Sequence, residues 1–256
     1  MAMPWDFVVI LLLLGAVVPW RGTVQLRRLL ALPRVETSER LAVYSSTIAF
    51  QWLAAGVALW RALARGTSLE QLGLAIPDGT RAALAAAAMC VLMLGHQVYS
   101  LRRLAALPKD EQGVVGELAR KLMPQNAVES LAFVALSVTV ALCEEVLYRG
   151  FVFAAFARVD GDSVFVPAMA SALFFAVAHL YQGRRGVFAT FVVGVLFAGV
   201  RSWSGSLAPC IVAHLLVDLY AGLAAPGKLG AAAAEPRTTG PAGENENAAP
   251  DAPRRD

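Results

Sequence analysis

Two adjacent glutamates and an arginine stand inside one long apolar run, and this combination constrains the fold more than any other feature of the chain. The run extends roughly from Leu131 to Ala157 and contains Glu144, Glu145 and Arg149. Its length is sufficient to cross a bilayer. Each ionised side chain near the centre of such a span costs on the order of 3 kcal/mol, even on the lenient insertion scales. We therefore expect a buried polar site here rather than three isolated charges.

Helical geometry predicts how these three side chains are arranged. Glu145 and Arg149 are four residues apart, so one turn of helix brings them together as an ion pair. Glu144 points about 100° away from Glu145 around the helix axis, so it is free to face another helix. An internal salt bridge with no further role is the plainer interpretation of the Glu145–Arg149 pair.

The composition is that of a multi-pass membrane protein. Hydrophobic residues make up 57% of the 256 residues and charged residues 16%, whereas charged residues are about 25% of an ordinary soluble domain. No basic run is interleaved with aromatic residues, so nucleic acid is not expected as a partner. Cys90, Cys143 and Cys210 are scattered singly in apolar segments without CxxC spacing, which indicates small buried hydrophobic residues.

Seven apolar runs predict an all-α fold, a polytopic membrane helix bundle of about seven transmembrane spans. Their approximate bounds are 5–20, 41–60, 81–99, 131–157, 164–181, 187–200 and 207–223. We expect the first span to be retained, because the chain shows no basic n-region and no Ala-x-Ala site of a signal peptide. Between the spans we expect a basic loop at 21–40, an interfacial helix within 110–122, tight turns at 182–186 and 202–206, and a disordered tail from residue 226.

The distribution of basic residues predicts the orientation of the bundle. If the N-terminus is outside, the first, third and fifth loops are cytoplasmic, and these loops hold most of the arginines and lysines between the spans. The positive-inside rule therefore favours an N-out, C-in arrangement. The lipid bilayer is the expected environment, and the alanine- and arginine-rich composition favours a bacterial plasma membrane.

Further ionisable residues lie in the later spans, where they could meet Glu144. His214 and Asp218 are four residues apart and share a helix face, and Phe175 and His179 have the same spacing on another span. A carboxylate can take a proton from water, and imidazole nitrogens can bind a metal or hold that water. This set suits the attack of water on an amide, and no serine or cysteine is placed as an evident nucleophile.

Plainer interpretations exist for each of these residues. His96 stands alone and is expected to be a packing residue, and a His–Asp pair at this spacing can simply satisfy its own polar groups. The soluble zinc-protease signature H-E-x-x-H is absent. A transporter or proton-coupled channel is a further hypothesis, but it would favour helices broken by Gly or Pro at the midplane, and intramembrane proline is scarce here.

Three short motifs in order resemble those of the CPBP (Abi) family of intramembrane proteases, which includes the type II CAAX prenyl endopeptidases. E-E-x-x-x-R stands at 144–149, F-x-x-x-H at 175–179 and H-x-x-x-(N/D) at 214–218. The resemblance covers roughly residues 126–223. It implies a catalytic membrane domain at 126–225, formed by the C-terminal four spans. Residues 1–125 would be N-terminal spans and basic loops, and 226–256 the tail.

The resemblance implies a membrane endopeptidase, a hydrolase that uses activated water and is metal-assisted. Carried over by position, Glu144 would activate the water beside His179. His214 and Asp218 would stabilise the oxyanion or complete a metal site. The supporting residues would be Glu145, Arg149 and Phe175.

Two consequences of the resemblance concern the metal and the last motif. His179 and His214 would be the ligands of a divalent metal such as zinc, if one is used. Asp218 stands where the family motif accepts Asn or Asp. An ionised carboxylate cannot donate a hydrogen bond to an oxyanion, so Asp218 must be protonated, orient His214, or ligate a metal.

The implied substrate is a membrane-associated peptide or protein. Bacteria generally lack CAAX prenylation, so a bacterial member could process a peptide or another membrane protein. The alternative is a non-catalytic membrane scaffold or bacteriocin-immunity protein that has the same fold.

Overall fold

The chain folds into helices wherever the computed structural model describes it, over residues 2–161 and 163–231. Within these ranges we number eight helices, and they contain no β-strand. The helices are α1 Trp5–Ala31, α2 Thr37–Ala64, α3 Gly79–Ala105, α4 Gly113–Leu122, α5 Ala127–Asp160, α6 Phe165–Ala178, α7 Gly183–Ser204 and α8 Ala208–Ala231. A short 3-10 turn, Leu180–Gln182, joins α6 to α7.

The lengths of these helices agree with the predicted membrane character. Of the described helices, α1, α2, α3, α5 and the segment Leu180–Ser204 are long and apolar enough to cross a bilayer. Phe165–Ala178 and Ala208–Ala224 are apolar but shorter. These seven helices follow the order of the seven predicted runs, and α4 lies at the predicted interfacial helix. The prediction of an all-α polytopic bundle is therefore confirmed.

Several helix ends differ from the expected ones. The first helix continues through much of the expected basic loop to Ala31, because arginine and leucine are good helix formers. The expected turns at 182–186 and 202–206 are shorter than predicted: α7 begins at Gly183 and ends before Gly205, and both glycines have positive φ. The last helix continues to Ala231, so residues 226–231 of the expected tail are helical, and 232–256 lie outside the described residues.

The long helix α5 lies at the centre of the bundle. It packs against α2 along one side and against α8 and α6 along others, while α3 packs on α8 and α7 packs on α6. The main core cluster gathers around the second half of α5, with Leu147, Phe151 and Val152 meeting Phe7 of α1 and Ala58 of α2. The side chains of α5 therefore face several neighbouring helices at the same depth.

Ion pairs fasten α2 at both of its ends, one buried and one with a partly exposed arginine. Arg40 contacts Glu129, at the start of α5, at 2.7 Å, and both side chains are buried. At the other end, Arg61 contacts Asp6 of α1 at 2.6 Å. Removing one partner of a buried pair typically costs about 3–5 kcal/mol. These contacts therefore hold one end of α2 against α5 and the other end against α1.

Candidate active site

The acidic pair of α5 lies where the helix changes its geometry. Helix α5 is α-helical over Ala127–Glu144 and forms a π-helix over Glu145–Val152. All of this π segment except Val146 is buried. A π-helix widens the turn to i→i+5 bonding and is frequent at functional sites. The apolar pattern of the sequence did not predict this change.

Glu145 joins α5 to α8. Its side chain is fully buried, and its Oε1 accepts from Nη1 of Arg149 at 3.1 Å and contacts Nδ1 of His214 at 2.9 Å. The expected ion pair between Glu145 and Arg149 is therefore present. Glu145 therefore links Arg149 on its own helix to His214 on α8.

Arg149 is held by aromatic rings as well as by Glu145. Its guanidinium carbon lies 3.9 Å from the ring centroid of Phe175 and 5.1 Å from that of Phe197. A desolvated cation–π contact contributes about 2 kcal/mol or more. The contact places Phe175, the first residue of the F-x-x-x-H motif, against the buried Glu145–Arg149 pair.

The carboxylate of Glu144 faces α2. Its Oε1 accepts from Nε2 of Gln51 at 2.9 Å, and its Oε2 is buried without a hydrogen-bond partner. Gln51 lies outside all three motifs, and the sequence did not predict it as a site residue. The available signal was a polar amide in the middle of an apolar span, 93 residues before its partner.

His179 ends α6, and its ring caps that end. Nδ1 lies 2.8 Å from the backbone oxygen of Phe175. A backbone carbonyl can only accept, so Nδ1 carries the hydrogen and Nε2 of the neutral ring is left as an acceptor. The Phe175 and Tyr181 rings contact the imidazole, with centroids at 4.6 Å and 5.7 Å.

His214 lies between two carboxylates. Nδ1 donates to Glu145, and Nε2 is 3.6 Å from Oδ2 of Asp218. The side chains of His214 and Asp218 are 13% and 30% exposed. Because Nδ1 already carries a hydrogen, Nε2 can face a carboxyl group favourably only if His214 or Asp218 holds one further proton.

The structure brings these groups into one polar neighbourhood. Phe175 contacts both imidazoles, with the centroid of the His214 ring at 6.3 Å. Glu144 is the neighbour in sequence of Glu145, which contacts Nδ1 of His214. Within the described ranges no hydrogen bond joins Glu144 directly to either imidazole. The direct polar contacts of the two glutamates are therefore that of Glu144 with Gln51 and that of Glu145 with His214.

A metal ion in a protein needs several converging nitrogen, oxygen or sulfur ligands. Among residues 2–161 and 163–231, no group of three or more His, Cys, Asp or Glu side chains is placed to hold a metal ion. The two expected ligands differ, since Nε2 of His179 is free and both nitrogens of His214 face carboxylates. These residues as arranged do not fit a metal centre, and zinc stays a prediction.

The part of the chain that holds the three motifs matches a known protein family model. Residues 126–220 match the family model described as type II CAAX prenyl endopeptidase Rce1-like. The matched segment runs from the first residues before α5 into α8, so it includes Glu144, His179 and Asp218 and leaves out Gln51. No curated protein and no solved structure matches the chain.

Proposed function

We propose that this chain is a multi-pass membrane endopeptidase, because residues 126–220 match the family model of type II CAAX prenyl endopeptidases. Its active site would contain Glu144, His179, His214 and Asp218. One observation supports the proposal above all: the matched segment contains Glu144, whose buried Oε2 has no hydrogen-bond partner among the described residues, together with His179, His214 and Asp218. Ionisable residues inside membrane spans are rare and mark functional sites.

The general base in this proposal is Glu144. Its free Oε2 takes one proton from a water molecule, while the other O–H of that water stays intact and donates a hydrogen bond to Nε2 of His179. The water oxygen bonds to the scissile carbonyl carbon, whose oxygen becomes the oxyanion. When the C–N bond breaks, the proton held by Glu144 passes to the leaving amine. Such proton transfer accelerates a reaction by about 10²–10⁴-fold.

His214 is the proposed donor to the oxyanion. Glu145 fixes the ring through Nδ1, so that a hydrogen on Nε2 is available on the side of Asp218. In the imidazolium form, Nε2–H donates to the developing negative charge, and preorganised donors of this kind contribute several kcal/mol. Asp218 then acts by orienting the ring and balancing its charge, which is the second of the three roles left open by the sequence.

The proposed substrate is a peptide bond near the C-terminus of a membrane-anchored peptide or protein, and a lipidated CAAX sequence is the probe that the family match suggests. The chain would lie in the plasma membrane of a bacterium with its N-terminus outside. The basic residues Arg34, Arg40, Arg120 and Lys121 gather around the α1–α2 turn and α4, which supports a cytoplasmic position for that end.

Purified full-length chain in liposomes provides the test. The probe is an internally quenched peptide that ends in a farnesylated Cys-aliphatic-aliphatic-Met sequence, and its unfarnesylated form is the second probe. Wild-type chain should cleave the first probe, and Glu144→Gln should lower kcat by about 100-fold or more, because it removes the general base.

The matched control is Glu117→Gln, which makes the same substitution at a half-exposed carboxylate of α4. This control should keep the wild-type kcat. Undiminished cleavage by a folded Glu144→Gln variant would contradict the proposed role of Glu144. Cleavage of the two probes at equal rates would contradict recognition of the prenyl group.

A further inference from the structure

The contact between Gln51 and Glu144 lies outside the segment that the family model matches. Nε2 of Gln51 donates to Oε1 of Glu144 at 2.9 Å, across the packed faces of α2 and α5. The residues around Gln51 on α2 are apolar, including Trp52, Leu53 and Ala54. A polar amide at this depth therefore needs a physical reason.

The bonding of the amide shows which of its groups is used. Its N–H is engaged by Glu144, while its carbonyl oxygen Oε1 is buried without a hydrogen-bond partner. Leaving a buried acceptor unsatisfied costs about 1–3 kcal/mol. A single hydrogen bond that only joined two helices would not offset that cost. The side chain is therefore oriented so that its N–H group, and not its carbonyl oxygen, makes the hydrogen bond.

The same two helices have other polar contacts that do not involve the site. Nε1 of Trp52 donates to Oγ1 of Thr139 at 3.2 Å, and Arg40 pairs with Glu129 at 2.7 Å. Helix packing is therefore already supported on either side of Gln51. Of these three contacts, only that of Gln51 reaches a proposed catalytic side chain.

We propose that Gln51 is a positioning residue for Glu144. It holds Oε1, so that the carboxylate cannot rotate and Oε2 stays directed toward the attacking water. The donor is a neutral amide, which orients the carboxylate without adding a cation to the site. This inference rests on the proposed function, and it makes the N-terminal half of the chain part of the active site.

The experiment compares Gln51→Met with Gln51→His in the liposome assay with the farnesylated probe. Methionine has a similar length but no donor, so kcat should fall by about 10- to 100-fold, as misplacement of a reacting group does, while KM stays unchanged. Histidine can present Nε2–H at nearly the same position, so Gln51→His should recover most of the lost kcat. In the Glu144→Gln background, Gln51→Met should lower the residual rate no further, because the two residues act together.

Trp52→Phe is the matched control, since it removes one hydrogen bond between the same two helices without touching Glu144. It should keep the wild-type kcat and have a thermal stability close to that of Gln51→Met. A fall in kcat as large as that of Gln51→Met would show that helix packing alone is responsible, and would overturn the inference. Wild-type kcat in Gln51→Met would overturn it as well.

The two proposals fail in different ways. If Glu144→Gln is inactive and Gln51→Met is fully active, only the role of Gln51 is wrong. If Glu144→Gln is active, or if wild-type chain cleaves neither probe, the proposed function itself is wrong, and the positioning role falls with it.

Discussion

The buried pair of Glu145 and Arg149 allows a quantitative test of how this site is stabilised. Both side chains are 0% exposed, and they lie 3.1 Å apart on the π segment of α5. Replacing either residue by methionine keeps an unbranched side chain of similar length but leaves the other charge without its partner. Removal of one partner from a buried pair costs about 3–5 kcal/mol. That is a large part of the roughly 5–15 kcal/mol by which a domain is stable.

The two single variants should not lose equal amounts of stability. When Arg149 is replaced, Glu145 still accepts from His214 at 2.9 Å, so its charge keeps one partner. When Glu145 is replaced, Arg149 keeps only its ring contacts to Phe175 and Phe197, and its Nε and Nη2 are already without hydrogen-bond partners. We therefore expect Glu145→Met to lower the free energy of unfolding more than Arg149→Met does.

The double variant separates charge pairing from packing. With both charges removed, an apolar pair of similar volume is close to neutral for stability. The double variant should therefore be more stable than Glu145→Met alone, with a coupling energy within the range of about 0.5–3 kcal/mol seen for contacting residues. It should still be inactive, because Nδ1 of His214 has lost its acceptor.

Unfolding of the purified chain in mixed micelles, followed by intrinsic tryptophan fluorescence, measures all four proteins of the cycle. The expected order of stability is wild type, then the double variant, then Glu145→Met. Losses in the two single variants that simply add in the double variant would refute the reasoning, because the pair would then contribute no mutual stabilisation.

Two further predictions concern regions outside the site. Arg40→Met should lower the free energy of unfolding by about 3 kcal/mol, because Glu129 is left buried without its cation. Its kcat, measured well below the unfolding temperature, should stay unchanged. A specific loss of kcat would contradict a purely structural role for this pair. In a variant without the three native cysteines, a cysteine at Lys109 should react with a membrane-impermeant thiol reagent only from the cytoplasmic side, and one at Glu70 only from outside; the reverse labelling pattern would show that the N-out, C-in prediction is wrong.

The parts of the site that sequence could predict are those set by local helix geometry. Four-residue spacing placed Glu145 beside Arg149 and His214 beside Asp218, and both pairs are in contact. These contacts need only one turn of helix, so they do not depend on how the bundle packs. The number and order of the apolar helices also followed from sequence, because hydrocarbon thickness sets their length.

The remaining contacts depend on which helix faces meet, and apolar periodicity does not encode this inside a bilayer. Lipid-facing and buried positions are both apolar, so a membrane helix shows little contrast between its faces. The contacts of Gln51 with Glu144 and of His214 with Glu145 span 93 and 69 residues. The π-helix at 145–152 changes which residues face inward, and no residue pattern signalled it.

The contacts of the two adjacent glutamates supply a physical reason for assigning proton transfer to Glu144 rather than to Glu145. A general base becomes neutral in every turnover. A neutral Glu145 would leave Arg149 without its ion-pair partner in the apolar interior, at a cost of about 3–5 kcal/mol. Glu144 accepts from the neutral amide of Gln51, so no cation loses its partner when Glu144 takes up a proton. The turn of about 100° between consecutive residues therefore directs one carboxylate toward Arg149 on α5 and His214 on α8, and leaves the other free to react.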